Sequence, residues 1–218
     1  MNYAQISLDE KLAALEQLRL AEAGAASRGW LPSGSGSLSC RIGPYVPNRF
    51  YFAVSTAVDG SELRAEGAYL FMDAAGRTCE STTMKPSHEA AIHAKIYRLT
   101  GCGGILHGHT VLSHWLGKHY MKNGMVPLPE SGLKSSLGIW DPSPELSVPI
   151  IPMIANSSSM SEIAAMLSSR LNHDLPCLLL QGQGIYVWGS SPSEVNRHLE
   201  TIEFLFELQY RTLLMERE

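Results

Sequence analysis

The segment His107-Gly108-His109 places two imidazoles on one face of an extended chain, because side chains two apart in a strand project the same way. The glycine between them leaves the space beneath open. Two such rings can grip one cation; the competing reading gives each ring its own hydrogen bonds in or near the core. Glu89 favours the cation, since it stands at the first turn of the helix leading into this strand. A carboxylate and two imidazoles on consecutive elements are the donors that mononuclear zinc and iron sites use. Glu89 also has a structural reading, as a helix-start carboxylate facing free amides and the helix dipole.

The elements that must carry these residues follow from periodicity. Leu8, Leu12, Leu15, Leu18 and Ala21 recur every three or four positions, predicting an amphipathic helix over Leu8 to Ala25 with Ser7 as its cap. The small residues Pro32-Ser33-Gly34-Ser35-Gly36-Ser37 then read as an ordered loop into a strand at Leu38 to Ile42. Phe50 to Ser55 and Tyr69 to Met72 read as an antiparallel hairpin, with turn residues at Asp59-Gly60 and from Asp73 to Gly76. Pro86 opens a helix over Ser87 to Thr100 that stops at Gly101, and Gly103 to His109 reads as a buried strand. Val111 to Leu116 is a short helix, residues 117–148 a long functional loop, and Val148 to Ile151 an edge strand. Met160 to Leu171 is helical, Cys177 to Trp188 a strand pair broken at Gly182 and Gly184, and Pro192 to Met215 a final helix. The apolar face of that helix is Val195, Leu199, Ile202, Phe206 and Leu213.

Composition narrows the class. The chain has 218 residues, 44% hydrophobic and 17% charged, enough for one sizeable core. Its formal charge of −4, from 17 basic and 21 acidic residues with no block of either sign, gives no nucleic-acid or polyanion footprint. No apolar run approaches the roughly 20 residues of a membrane helix, and acidic Asp9, Glu10, Glu16 and Glu22 are wrong for a signal peptide. Cys40, Cys79, Cys102 and Cys177 are dispersed without a Cys-x-x-Cys pair. A soluble cytoplasmic protein is expected, with no membrane or nucleic-acid partner.

Four segments occur in an order that resembles the class II aldolase/adducin family. They are Gly29-Trp30-Leu31-Pro32 with Ser35-Gly36-Ser37-Leu38-Ser39, Lys85-Pro86-Ser87-His88-Glu89, His107-Gly108-His109-Thr110, and Gly182 to Gly189. The Tyr186-Val187-Trp188-Gly189 ending and the Arg197 to Phe206 stretch resemble most the methylthioribulose-1-phosphate dehydratase branch. The resemblance spans residues 8 to 214. It implies a single α/β domain over 1–218, a three-layer fold with a central, mostly antiparallel sheet flanked by helices, and assembly as a homotetramer. It also implies a divalent transition metal, zinc first and iron second, held by His107, His109 and a third ligand.

In the family the third ligand is a histidine, and Gln183 stands there. A weakened or altered site, replacement by a group such as Glu89, and a site without metal all remain open. Glu89 matches the family's proton-transfer residue; Glu130, near Lys134 but one residue out of register, matches the acid/base of the dehydratase branch. The phosphate pocket maps to Ser35, Gly36 and Ser37, to Thr56, and to Lys85, Ser87 and His88. Ser37 replaces an asparagine, Ala57 a glycine and His88 a small residue.

The resemblance implies a metal-dependent lyase acting on a ketose phosphate, with dehydration of 5-methylthioribulose 1-phosphate, a methionine-salvage step, as its first suggestion. Aldol cleavage, epimerisation or decarboxylation of a related molecule is the alternative, and a non-catalytic adducin-like binding protein the third. Glu89, His107 and His109 argue against the third; Gln183, Ser37 and Ala57 argue against the first.

Overall fold

The computed structural model describes residues 6–56, 68–140, 146–151, 160–171 and 175–216; Ala57 and the expected Asp59-Gly60 turn lie outside the described residues. Helix α1 (Leu8–Ser27) starts at a Ser7 capping box, in which the Ser7 hydroxyl accepts from the Glu10 amide and the Glu10 carboxylate accepts from the Ser7 amide. Strands β1 (Ser37–Ile42), β2 (Tyr51–Ser55) and β3 (Tyr69–Asp73) follow, β2 and β3 pairing antiparallel. Helix α2 (Ala90–Thr100) ends at left-handed Gly101 and leads into β4 (Gly104–Gly108) and α3 (Val111–His119). Then come β5 (Met125–Pro127), β6 (Ser147–Ile151), α4 (Met160–Arg170), β7 (Cys177–Leu180), β8 (Gly184–Gly189) and α5 (Pro192–Met215).

The eight strands form one sheet in the order β3-β2-β1-β4-β8-β7-β6-β5. Every neighbouring pair is antiparallel except β6 and β7. Two apolar layers cover its faces. Helices α1 and α5 pack on one face around Leu18, Leu38, Leu106, Val187, Leu199 and Phe206. Helices α2 and α4 pack on the other around Phe52, Val54, Ile92, Ile105, Leu167 and Tyr186. Each fully buried aliphatic or aromatic side chain contributes about 1.5–3 kcal/mol of transfer free energy. Alternation along β4 turns Ile105 and His107 toward α2 and Leu106 toward α5. The three-layer, mostly antiparallel architecture is the one expected.

Three expectations need correction. Helix α1 buries Ala14, Leu18, Ala21 and Ala25, while Leu8 and Leu12 are 69% and 55% exposed. The helix lies close to β1 and α5 through small side chains, so the alanines, not the larger leucines, mark its inner face. The stretch read as loop from 117 to 148 contains β5 and a 3₁₀ turn at Gly132–Leu137, which buries Leu137 and Lys134. Strand β6 is not an edge: β5 pairs with its outer side, Met125 opposite Pro149 and Pro127 opposite Ser147.

Candidate active site

The site gathers at the end of β4, in the middle of the sheet. His107 is opposite Ser37 of β1 and Tyr186 of β8. Two glycines allow the flanking chains to close on it. Gly36, at φ +85°, would put a Cβ 2.3 Å from the His107 carbonyl oxygen, and Gly184, at φ +94°, would put one 2.2 Å from that of Gly108. Any other residue at either position would force the strands apart.

His107 is 2% exposed and stacks on Tyr186, the ring centroids 4.2 Å apart and the planes 6° from parallel. Its Nε2 lies 2.6 Å from the main-chain carbonyl of Gln183. A carbonyl only accepts, so Nε2 carries a proton and Nδ1 is turned the other way. That Nδ1 is buried without a hydrogen-bond partner and stands 3.5 Å from Glu89 Oε1. Glu89 stands at the N-cap position of α2 without a side-chain capping bond, and its other oxygen accepts from the Ser87 hydroxyl at 2.5 Å. Burial works to raise the Glu89 carboxyl, but His107, when its Nδ1 is protonated, and the Ser87 hydroxyl hold it well below the usual carboxylate range. It is therefore ionised at neutral pH.

His109 follows on the same face, its ring centroid 4.8 Å from that of His107. Burial, reinforced by His107 and His114, pushes it down to about 4, so a neutral ring with a lone pair to give is present at pH 7. Two imidazoles, one with an orphaned buried nitrogen beside a carboxylate, are donors suited to a divalent cation. The residues fit such an ion, although among the described residues no group of three His, Cys, Asp or Glu side chains is already gathered around one point.

The remaining expected residues divide. Gln183 reaches the site through its carbonyl, while its side chain is exposed and forms no hydrogen bond to either histidine. The expected side-chain ligand at that position is thus replaced by a main-chain contact, because the turn through left-handed Gly182 and Gly184 points the amide outward. Ser37, expected to face a phosphate, is fully buried and hydrogen-bonded at 3.0 Å to His93 Nε2; a strand residue of that parity points under α2. Thr56 bridges to Pro86, which joins it to the Lys85-Pro86-Ser87-His88 turn, where Lys85 and His88 are exposed. Ser35 keeps a buried, unpartnered hydroxyl beside Gly36. Glu130 is 74% exposed and paired with buried Lys134 at 2.9 Å, with no contact to the histidines.

Four residues that the sequence did not single out also stand here. His93, one helical turn beyond Glu89, is completely buried and hydrogen-bonded to Ser37 and, at 2.7 Å, to Ser39. Burial pushes it down to about 3, so it stays neutral. The i to i+4 spacing from Glu89 was its available signal. Tyr186 could have been found as the cross-strand partner of His107. His114 lies five residues after His109 at no helical or strand period, and Glu203 is brought in by α5. The Thr110 hydroxyl that caps α3 donates to Glu203 at 2.7 Å.

The class II aldolase and adducin N-terminal domain model matches residues 16–210. The chain belongs to this family. Among curated relatives, methylthioribulose-1-phosphate dehydratase of Geobacillus kaustophilus is 32% identical over 93% of this chain and 93% of its own length. The enzyme of the same name from Persephonella marina is 30% identical over 87% and 86%. Among solved structures, L-fuculose-1-phosphate aldolase from Thermus thermophilus superposes with a TM-score of 0.67 at 16% identity, covering 95% of this chain and 97% of that one. That likeness establishes the class II aldolase fold. Members of the family are in general divalent-metal dependent. Among the described residues no helix is long and apolar enough to cross a membrane.

Glu203 offers a pH test of how α5 is packed beside α3. Burial raises its carboxyl to about 7, against the partial relief of the Thr110 hydroxyl. A carboxyl raised on folding contributes stability that is complete below its unfolded pKa near 4.5 and is lost as pH rises through about 7. Glu203→Gln is expected to abolish that loss, so that the variant gains on the wild type by something on the order of 3 kcal/mol between pH 5 and 8. Urea unfolding at the two pH values reads it; parallel pH profiles would contradict it.

Proposed function

We propose that this protein is a metal-dependent lyase that dehydrates 5-methylthioribulose 1-phosphate, a step of methionine salvage. The observation that carries the reading is the ionised Glu89 carboxylate beside the buried, unpartnered Nδ1 of His107, with His109 alongside, in a chain about 30% identical to dehydratases of that name. His107 and His109 would hold the cation, zinc first and iron second. When bound there, the cation supplies Lewis-acid polarisation of the ketone and its neighbouring hydroxyl.

The chain's own residues do the rest. Glu89 takes the proton from C3, next to the C2 ketone. The electron pair forms the C3–C4 double bond as the C4–oxygen bond breaks. Glu89 returns the proton to the departing hydroxyl, which leaves as water. The enol so formed ketonises to a 2,3-diketone, and the net change is the loss of one water. Ser87 holds one Glu89 oxygen, leaving Oε1 toward the histidines. Lys85, His88, Thr56, Ser35 and Gly36 are assigned to the phosphate, supported by the bridge that joins Thr56 to the Lys85–His88 turn.

A second reading, the same proton transfer on a different ketose phosphate, is favoured by Ser37, whose hydroxyl is sealed against His93. A panel of ketose 1-phosphates followed by NMR separates the two. Preferred formation of the diketone from the methylthio sugar supports the first, and turnover of another member alone supports the second. Glu130 is retained as an alternative acid/base, Gln183 as an alternative donor. Since the Gln183 side chain is exposed, Gln183→Ala is expected to leave zinc affinity within about threefold of wild type, read by chelator competition. A larger loss would return the amide to the donor set. A homotetramer in the cytoplasm completes the reading, supported by exposed Leu8, Leu12 and Leu20 on α1 and by four free cysteines.

A further inference from the structure

His109 and His114 form a pair that neither the family motif nor the proposed chemistry uses. The Nδ1 of His109 lies 3.1 Å from the Nε2 of His114, and the rings stack at 5.4 Å and 21°. Two imidazole nitrogens at that distance share one proton: one donates and the other accepts. The first site histidine shows the parallel arrangement, its Nε2–H donated to the Gln183 carbonyl so that Nδ1 faces Glu89. Histidines that bind metals are held this way, by an acceptor on the nitrogen away from the ion that fixes tautomer and ring orientation.

We propose that His114 is the positioning residue of His109, accepting its Nδ1–H and thereby presenting Nε2 as the lone pair that holds the cation. The role falls to α3 because Thr110, with its capping box, starts that helix immediately after His109 and carries His114 round to the ring. His114 is itself exposed, so its substitution does not open the core. Residue 183 supplies its support to His107 from the main chain alone, which leaves His114 as the side chain whose loss would loosen the pair.

The inference rests on the metal-dependent reading above, and zinc affinity distinguishes the two. Metal-free wild type, His114→Phe and His114→Gln are titrated with zinc against a chelating dye, with circular dichroism confirming the fold. Phenylalanine keeps a stacking ring without an acceptor; glutamine restores an acceptor oxygen. His114→Phe is expected to bind about 10–100-fold more weakly and His114→Gln to recover most of that loss. Equal affinity of wild type and His114→Phe would overturn the positioning role alone. Weak binding by both variants would make His114 a ligand in its own right and overturn it likewise. Wild type that takes up no zinc would overturn the metal reading and this inference with it.

Discussion

Glu89→Gln is expected to lower turnover of the ketose phosphate by about a hundredfold or more while the protein stays folded and keeps its metal, since positioned general acid-base groups contribute that much. The amide occupies the carboxylate's volume and can still accept from Ser87, but it cannot take a proton from carbon. The depressed carboxyl of Glu89 means that the base form is present throughout the neutral range. Measuring kcat, metal content and circular dichroism together decides the role. Unchanged turnover, with Glu130→Gln abolishing it, would move the acid/base function to the segment after β5. Loss of metal from the Glu89 variant would mark the carboxylate as a ligand.

His107→Ala is expected to abolish turnover and to weaken zinc binding by more than about a hundredfold, beyond the loss that outer partners cause. The same change empties a buried position against the Tyr186 ring and strips the Gln183 carbonyl of its donor. A stability cost of about 2–4 kcal/mol accompanies it. His107→Asn, smaller in cavity and still a donor, separates the two effects: it should recover part of the stability and little of the turnover. Zinc affinity near wild type in a folded His107→Ala protein would remove this residue from the metal site.

The parts of this site that sequence reveals are those set by local period. His107 and His109 share a face because β4 is extended, and Glu89 falls at a helix start because Pro86 and Gly101 bracket α2. What sequence hides is set by contacts between distant segments. Ser37 and His93 are 56 residues apart and meet only because α2 packs on the face of the sheet to which Ser37 of β1 points. Whether Gln183 offers its amide or its carbonyl depends on two left-handed glycines beside it, and a substitution pattern carries no such information. The buried face of α1 is hidden for a related reason: how close a helix can approach the sheet decides whether alanine or leucine lies inside. Strand β5 is three residues long and ends at Pro127, too short for alternation to register, so in sequence its partner β6 reads as an edge. The fold class survives these errors, because the strands and helices that build the two apolar layers are long enough to declare their periods.

The central claim, a metal-dependent dehydration carried by Glu89, His107 and His109, is tested most directly by following 5-methylthioribulose 1-phosphate by NMR with protein stripped by chelator and then reloaded with one equivalent of zinc. The account predicts no diketone from the stripped protein and its formation, with loss of water, once zinc is restored. Undiminished turnover by the stripped protein, or none by protein reloaded with zinc or iron, would contradict it.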